Sequence, residues 1–261
     1  MAAERRDRWL PMLRLCAALR FLTVLPLSWR VEEDGRHFPE SLPYFTVIGA
    51  LIGAGVAGLA WVVGAFLPQT VTAMLALAML AGVSGFLHLD GLSDSADGLL
   101  SSRPLEARLA IMKDSRAGAM GIVAVVLVLL TKFAALASLP PAAFLPTLVL
   151  MAMGGRTAIL LMMAALPYAR KEGGIGALFY SGDSKKAGGI AVVVLGLGGA
   201  VLAASQLVAL VLALASVVVL FSWWCRAKLG GATGDTLGAI CELAEAMVAV
   251  AMTASFPPTL S

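Results

Sequence analysis

Seven apolar stretches, at about 44–67, 70–89, 119–138, 144–166, 188–205, 207–225 and 236–255, leave this chain few ways to fold. A bilayer's hydrocarbon core, ~30 Å thick, takes about 20 apolar residues as a helix. Backbone groups in lipid must find partners within their own segment, so each stretch is expected to be helical. Composition agrees: 60% of residues are hydrophobic and 13% charged, against about 45–50% and about 25% in soluble domains. The expected fold is all-α, a polytopic membrane helix bundle of about seven transmembrane helices. It forms a single domain over 1–261, with 1–43 an N-terminal cytoplasmic or interfacial segment and 44–255 the transmembrane bundle.

Arg5, Arg6 and Arg8 resemble the basic head of a signal peptide, but Arg14 and Arg20 break the apolar stretch that follows, and no small-residue cleavage site comes after it. Residues 9–29 read instead as an interfacial amphipathic segment that is retained. Of the 19 Lys and Arg, seven lie in 1–43, four in 90–118, four in 167–187 and two in 226–235; Lys132 and Arg156 fall inside spans. The short connections near 68–69, 139–143 and 206 carry none. The positive-inside rule then puts the N-terminus and every long loop in the cytoplasm, and an odd number of crossings puts the C-terminus outside. The 16 acids lie in or close to the same segments, so one membrane face gathers both signs of charge, as a polar site does. A net charge of +3 offers nucleic acid little to bind. Cys16, Cys225 and Cys241 have no metal-binding or paired spacing and read as inert thiols.

Three stretches carry the chemistry. "HLDGLSDSADG", 88–98, sets Asp90, Asp94 and Asp97 at i, i+4 and i+7, on one face of a helix. Like charges at this spacing repel, and a hard divalent cation with oxygen ligands neutralises them. Mg²⁺ in particular takes one or two carboxylates and completes its shell with water and phosphate. The plainer alternative is a solvated helix end. In "IMKDSRAGAMG", 111–121, Lys113 and Arg116 flank Asp114. An Arg fork and a Lys point charge suit phosphate oxygens, though a basic membrane anchor would look alike. "GGATGDTLGAICELAE", 230–245, runs from Gly230 and Gly231 to Asp235, Glu242 and Glu245, the three acids sharing a face. Ionisable groups at that depth face a cavity or a partner. Internal pairing of the two Glu with Arg156 or Lys132 is the alternative, and a flexible loop is the alternative for the glycines.

Tyr168, Arg170 and Lys171 in the 167–187 loop can receive an anionic substrate, or simply mark a cytoplasmic loop. Arg156, midway along a span, needs an internal partner or a phosphate. "GAGVAG", 53–58, fits a dinucleotide fingerprint but lies inside a span with no strand before it. Gly49, Gly53 and Gly58 read as helix-packing positions. Neither His37 nor His88 sits in a zinc pattern.

Taken in order, "FLTVLPL", "PYFTVIGALIG", "HLDGLSDSADGLL", "IMKDSRAGAMG", "GGR", "YAR" and "GGATGDTLGA" resemble the cobalamin synthase family, the adenosylcobinamide-GDP ribazoletransferases, nearly end to end. The Asp ladder and the "KDSRAGAMG" block after it are the specific part. The resemblance implies a multi-pass enzyme of the bacterial cytoplasmic (inner) membrane, active on the cytoplasmic side and dependent on Mg²⁺. It would join adenosylcobinamide-GDP to α-ribazole or its 5′-phosphate and release GMP. Asp90, Asp94 and Asp97 would then bind Mg²⁺, and Lys113 and Arg116 would neutralise the pyrophosphate. Asp114 would complete the metal site or take the hydroxyl proton, with Asp235 the second choice of base. Arg156, Tyr168, Arg170, Gly230 and Gly231 would contact substrate. The expected partners are these two substrates and membrane lipid, with a homo-oligomer left open.

The rival readings fit less well. A CDP-alcohol phosphotransferase is also membranous and Asp-rich, but its pattern has an "AR" soon after the "DG" and a later spacing of acids absent from "DGLSDSADG". Prenyl-type transferases share only the Asp–Mg²⁺–diphosphate chemistry. A divalent-cation or corrinoid transporter needs access from both faces, whereas the polar residues here crowd one.

Overall fold

The computed structural model describes residues 9–28, 34–114, 116–170, 175–180 and 182–254. Arg5, Arg6, Arg8 and Lys171 lie outside the described residues. Among those described the chain is helical: α1 (Leu10–Leu22), α2 (Asp34–Ser41), α3 (Phe45–Gly64), α4 (Gln69–Val83), α5 (Leu87–Leu99), α6 (Leu105–Ile111), α7 (Ala119–Ser138), α8 (Pro141–Ala165), α9 (Ile175–Phe179), α10 (Ser184–Leu202), α11 (Leu207–Leu229) and α12 (Gly234–Met252). No strand forms among the described residues; one isolated parallel bridge joins Tyr168 and Ala232.

The bundle is built around α8, whose residues 151–160 are all buried. A helix apolar on every side must be enclosed, and α3, α10 and α12 enclose it. Bare glycines allow the approach of α3: a Cβ at Gly49 would meet the Ala152 carbonyl oxygen at 2.5 Å, and one at Gly53 the Val149 Cα at 2.6 Å. Gly58 does not belong with them, since it faces open space. On the outside, α7, α10 and α11 expose Leu127, Leu130, Val193, Leu197, Leu212, Leu220 and Trp223. Side chains of this kind cover a surface that faces lipid rather than water.

Among the described residues five helical stretches are long and apolar enough to cross a membrane, or six if one bent pair counts as a span. The expected seven crossings are modified at two places. The stretch at 70–89 is not one helix: α4 stops at Val83 and α5 leaves at 87° to it. The turn between them uses left-handed backbone at Gly85 (φ 61°) and Phe86 (φ 60°). The last stretch, α12, carries Asp235, Glu242 and Glu245 and has buried residues along nearly its whole length, so its acids are answered from within the bundle.

The two ends of the bundle differ. The turns at 65–68, 139–140 and 203–206 hold no charged residue, and Gln69 Nε2 ties two of them by donating to the Leu139 carbonyl at 2.7 Å. At the opposite end lie α5, α6, residues 112–114 and 116–118, the 166–170 segment and the turn into α12, with Arg108 Nη1 donating to the Lys228 carbonyl at 2.9 Å across them.

Candidate active site at the charged end of the bundle

The ladder helix α5 crosses α12 at two glycines. A Cβ at Gly91 would lie 2.7 Å from the Asp235 carbonyl oxygen and 3.2 Å from Gly238 Cα, while one at Gly238 would lie 3.3 Å from His88 Cα. With no side chain at the crossing the two backbones touch, and acids from different parts of the sequence become neighbours. A capping box between Thr233 and Thr236 starts α12 and fixes its first turn, which holds Asp235.

A second close approach brings cations. Ala169 N–H donates to the Ala232 carbonyl and Ala232 N–H to the Pro167 carbonyl, both at 2.8 Å. Gly231 permits this pairing, because a Cβ there would run into the Pro167 carbonyl oxygen. Gly230 ends α11 in the left-handed region at φ 76°. The pairing presents Tyr168 and Arg170 to the start of α12, where Arg170 Nη2 donates to Asp235 Oδ2.

Two cavities adjoin at Arg170. The first, of about 240 Å³, is lined by Asp90, Asp235, Arg170 and Tyr168 together with His88 and an apolar wall. The second, of about 400 Å³, lies beside α6 and is lined by Glu106, Lys113 and Arg170. The acids crowd one another. Burial and the Asp90, Asp235 and Asp97 carboxylates push the Asp94 carboxyl up to about 7 from an ordinary 3.8, with Arg170 opposing them. Asp235 is raised too, by burial, against the pull of Arg170.

No three His, Cys, Asp or Glu side chains among the described residues converge on a metal cage by themselves. Mg²⁺ needs no such cage, since one or two carboxylates with water and phosphate are its usual shell. Asp90 and Asp94, with a surplus of negative charge around them, fit such an ion as a half-site completed by substrate.

Several expected site residues sit elsewhere than the sequence suggests. Asp97 is occupied: its Oδ2 accepts from Gly118 N–H at 2.7 Å and its Oδ1 from Gly121 N–H at 2.9 Å. It therefore caps the start of α7, where the orphan amides and the helix dipole favour a carboxylate. Asp114 and Arg116 hold each other in an exposed fork, Arg116 Nη2 to Asp114 Oδ2 at 2.7 Å and Nε to Oδ1 at 3.0 Å. That fork keeps the Asp114 carboxyl at about 2, and neither residue lines the two cavities. Gly230 and Gly231 shape the chain and do not line the cavities; Gly234 does.

Arg156 is not at a cavity wall either. It is 1% exposed, and its Nη1 donates to Glu245 Oε1. Lys132 Nζ completes the set, reaching Glu242 Oε2 at 2.7 Å and Glu245 Oε2 at 2.6 Å. Two cations from α7 and α8 thus meet two acids of α12, and the internal pairing left open by the sequence is the arrangement found. Among the cavity residues that the sequence did not single out are His88, one turn before Gly91, three phenylalanines and, in the second cavity, Glu106. His88 stood in the quoted ladder stretch, and nothing in its spacing distinguished it.

The chain matches the family model described as cobalamin-5-phosphate synthase over residues 14–253. It is similar to the adenosylcobinamide-GDP ribazoletransferase of Roseiflexus sp. (strain RS-1), at 38% identity covering 98% of this chain and 94% of that one. The enzymes of the same description from Ectopseudomonas mendocina (strain ymp) and Chlorobaculum tepidum are each 39% identical. They cover 91% and 90% of this chain, and 97% and 92% of their own lengths. No solved structure matches.

Proposed function

The chain belongs to the cobalamin-5-phosphate synthase family, a group of transferases of cobalamin biosynthesis, and from that premise we propose that it joins adenosylcobinamide-GDP to α-ribazole or its 5′-phosphate at the two adjoining cavities, using Mg²⁺. Membership removes the CDP-alcohol and transporter readings. The observation that carries the site assignment is the α5–α12 crossing, which sets Asp90 and Asp235 beside Arg170 at the junction of the cavities, with Asp94, which lines neither cavity, within electrostatic reach of all three.

In this reading a hydroxyl of the ribazole ribose attacks the phosphorus attached to the cobinamide. The new P–O bond forms as the pyrophosphate P–O bond breaks, and GMP leaves with the electron pair. Asp235 takes the hydroxyl proton, because burial raises its carboxyl toward working pH, where a general base is most effective. Asp114, held near 2 by Arg116, is a poor base. Arg170 and Lys113 neutralise phosphate oxygens from the shared wall and from the second cavity. Asp90 and Asp94 would hold Mg²⁺, and Asp97 fixes α7 against the ladder. When bound, the ion would draw charge from the pyrophosphate oxygens. Phosphoryl transfer depends chiefly on such positioning and neutralisation. The site opens to the cytoplasm, where the positive-inside rule places the charged loops.

The test is GMP release by the purified protein in detergent or liposomes, supplied with adenosylcobinamide-GDP and α-ribazole 5′-phosphate. Release with Mg²⁺, matched by a new cobalamin species and abolished by EDTA, is the expected result. Folded protein that releases no GMP overturns the reaction, and release indifferent to EDTA overturns the metal.

A further inference from the structure

The first cavity has two unlike parts. Its polar residues gather at Asp90, Asp235 and Arg170, while Phe21, Phe45 and Phe179 form an aromatic wall brought together from α1, α3 and α9. Ring centroids of Phe179 lie 4.5 Å from Phe21 and 5.6 Å from Phe45. His88 lines the same cavity, is 3% exposed, and its Nε2 has no hydrogen-bond partner. Buried polar atoms are nearly always paired, so an orphan beside a cavity marks a place for a ligand atom. At about 240 Å³ the space is below the about 300–1,000 Å³ of sites for drug-sized ligands. It takes one flat ring system and excludes a corrinoid.

Two bases compete for it in the reaction proposed above, on which this inference rests. Guanine carries a carbonyl, an amino group and a ring N–H, all of which lose hydrogen bonds against an aromatic wall. The benzimidazole-type base of a ribazole has one unsubstituted ring nitrogen and no exocyclic polar group, so a single donor satisfies it. We propose that this cavity is the subsite for the acceptor's base, stacked on Phe21, Phe45 and Phe179, with His88 Nε2–H donating to its free ring nitrogen. The ribose joined to that base then falls at Asp235 and Asp90, where its hydroxyl must lose a proton. His88 is thus a specificity-determining residue.

Two probes separate the possibilities: benzimidazole, and indole, which has C–H where benzimidazole has the acceptor nitrogen. Their binding to the purified protein is measured by titration calorimetry without any nucleotide, so the result does not depend on turnover. Wild-type protein is expected to bind benzimidazole roughly five- to tenfold more tightly than indole, the value of one net hydrogen bond. His88→Leu should erase that preference, and Phe179→Ala should weaken both ligands. In turnover, His88→Leu should raise KM for α-ribazole 5′-phosphate and leave KM for adenosylcobinamide-GDP unchanged. Equal binding of the two probes by wild-type protein, a measurement that needs no variant, overturns the proposal. So does a rise in the donor's KM, which would give the cavity to guanine. Benzimidazole binding without GMP release would uphold the subsite and sink the transfer reaction instead.

Discussion

At the scale of single residues the site is governed by charge crowding, and Asp94 is where it can be measured. Burial and the neighbouring carboxylates push its carboxyl up to about 7 from an ordinary 3.8. Between those values the folded state holds a proton that the unfolded state has lost, so stability must fall as pH rises through that window. The metal-free protein is therefore expected to lose Tm between about pH 4 and pH 7, and Mg²⁺ should raise Tm at pH 8 but barely at pH 5. Asp94→Asn should flatten the pH dependence, remove the Mg²⁺ gain, and cut GMP release about a hundredfold or more, as loss of a preorganised charge does. A variant with wild-type turnover would refute the metal role. Lys113→Ala should reduce turnover far more than folded yield; equal losses would make Lys113 structural. That Asp90, Asp235, Tyr168, Lys113 and Arg170 would gather at cavity walls was legible in the sequence because polar groups in an apolar chain need a reason. His88 and the phenylalanines were not, since a buried polar atom without a partner exists only once distant segments meet. The partners of Asp97 and Asp114, two amides of α7 and a neighbouring Arg, were hidden for the converse reason: they are ordinary groups that spacing does not reveal.

At the scale of helices the close approaches decide function. The Gly91–Gly238 crossing admits no side chain, so Gly91→Ala must push α5 from α12 and separate Asp90 and Asp94 from Asp235. An overpacked contact costs about 1–3 kcal/mol, and the expected outcome is a lowered Tm with an activity loss larger than the loss of folded protein. Gly58→Ala, at a glycine facing open space, should leave both unchanged. Activity retained in Gly91→Ala would show that the crossing does not set the site. The buried quartet works on the same helices: Glu245→Gln leaves Lys132 and Arg156 with one acid between them, and unbalancing a buried set costs about 3–5 kcal/mol. Thermal unfolding in detergent reads that loss directly, and a Tm within a degree of wild type would mean that water reaches the quartet. The apolar spans were legible because length and hydropathy are local properties. The 87° break between α4 and α5 was not, because it depends on backbone turned left-handed at Phe86, a residue with no preference for that conformation.

At the scale of the whole molecule, the asymmetry of the two ends ties topology to chemistry. One end has turns without a charged residue; the other collects the acids, Arg170, Lys113 and both cavities. Orientation by the basic loops therefore also decides which compartment supplies the substrates. A nucleotide-bearing donor and a phosphorylated acceptor do not cross a bilayer unaided, so the charged end must face the compartment that makes them. Single cysteines placed in a background lacking Cys16, Cys225 and Cys241 test this in intact cells. Ser205→Cys, at the uncharged end, should react with a membrane-impermeant maleimide added outside. Ser102→Cys, between α5 and α6 at the charged end, should react only after lysis. The reverse pattern would place the cavities on the outer face. A chain so oriented would have no access to a donor made inside the cell, which would overturn the assigned sidedness, while GMP release in detergent tests the chemistry separately.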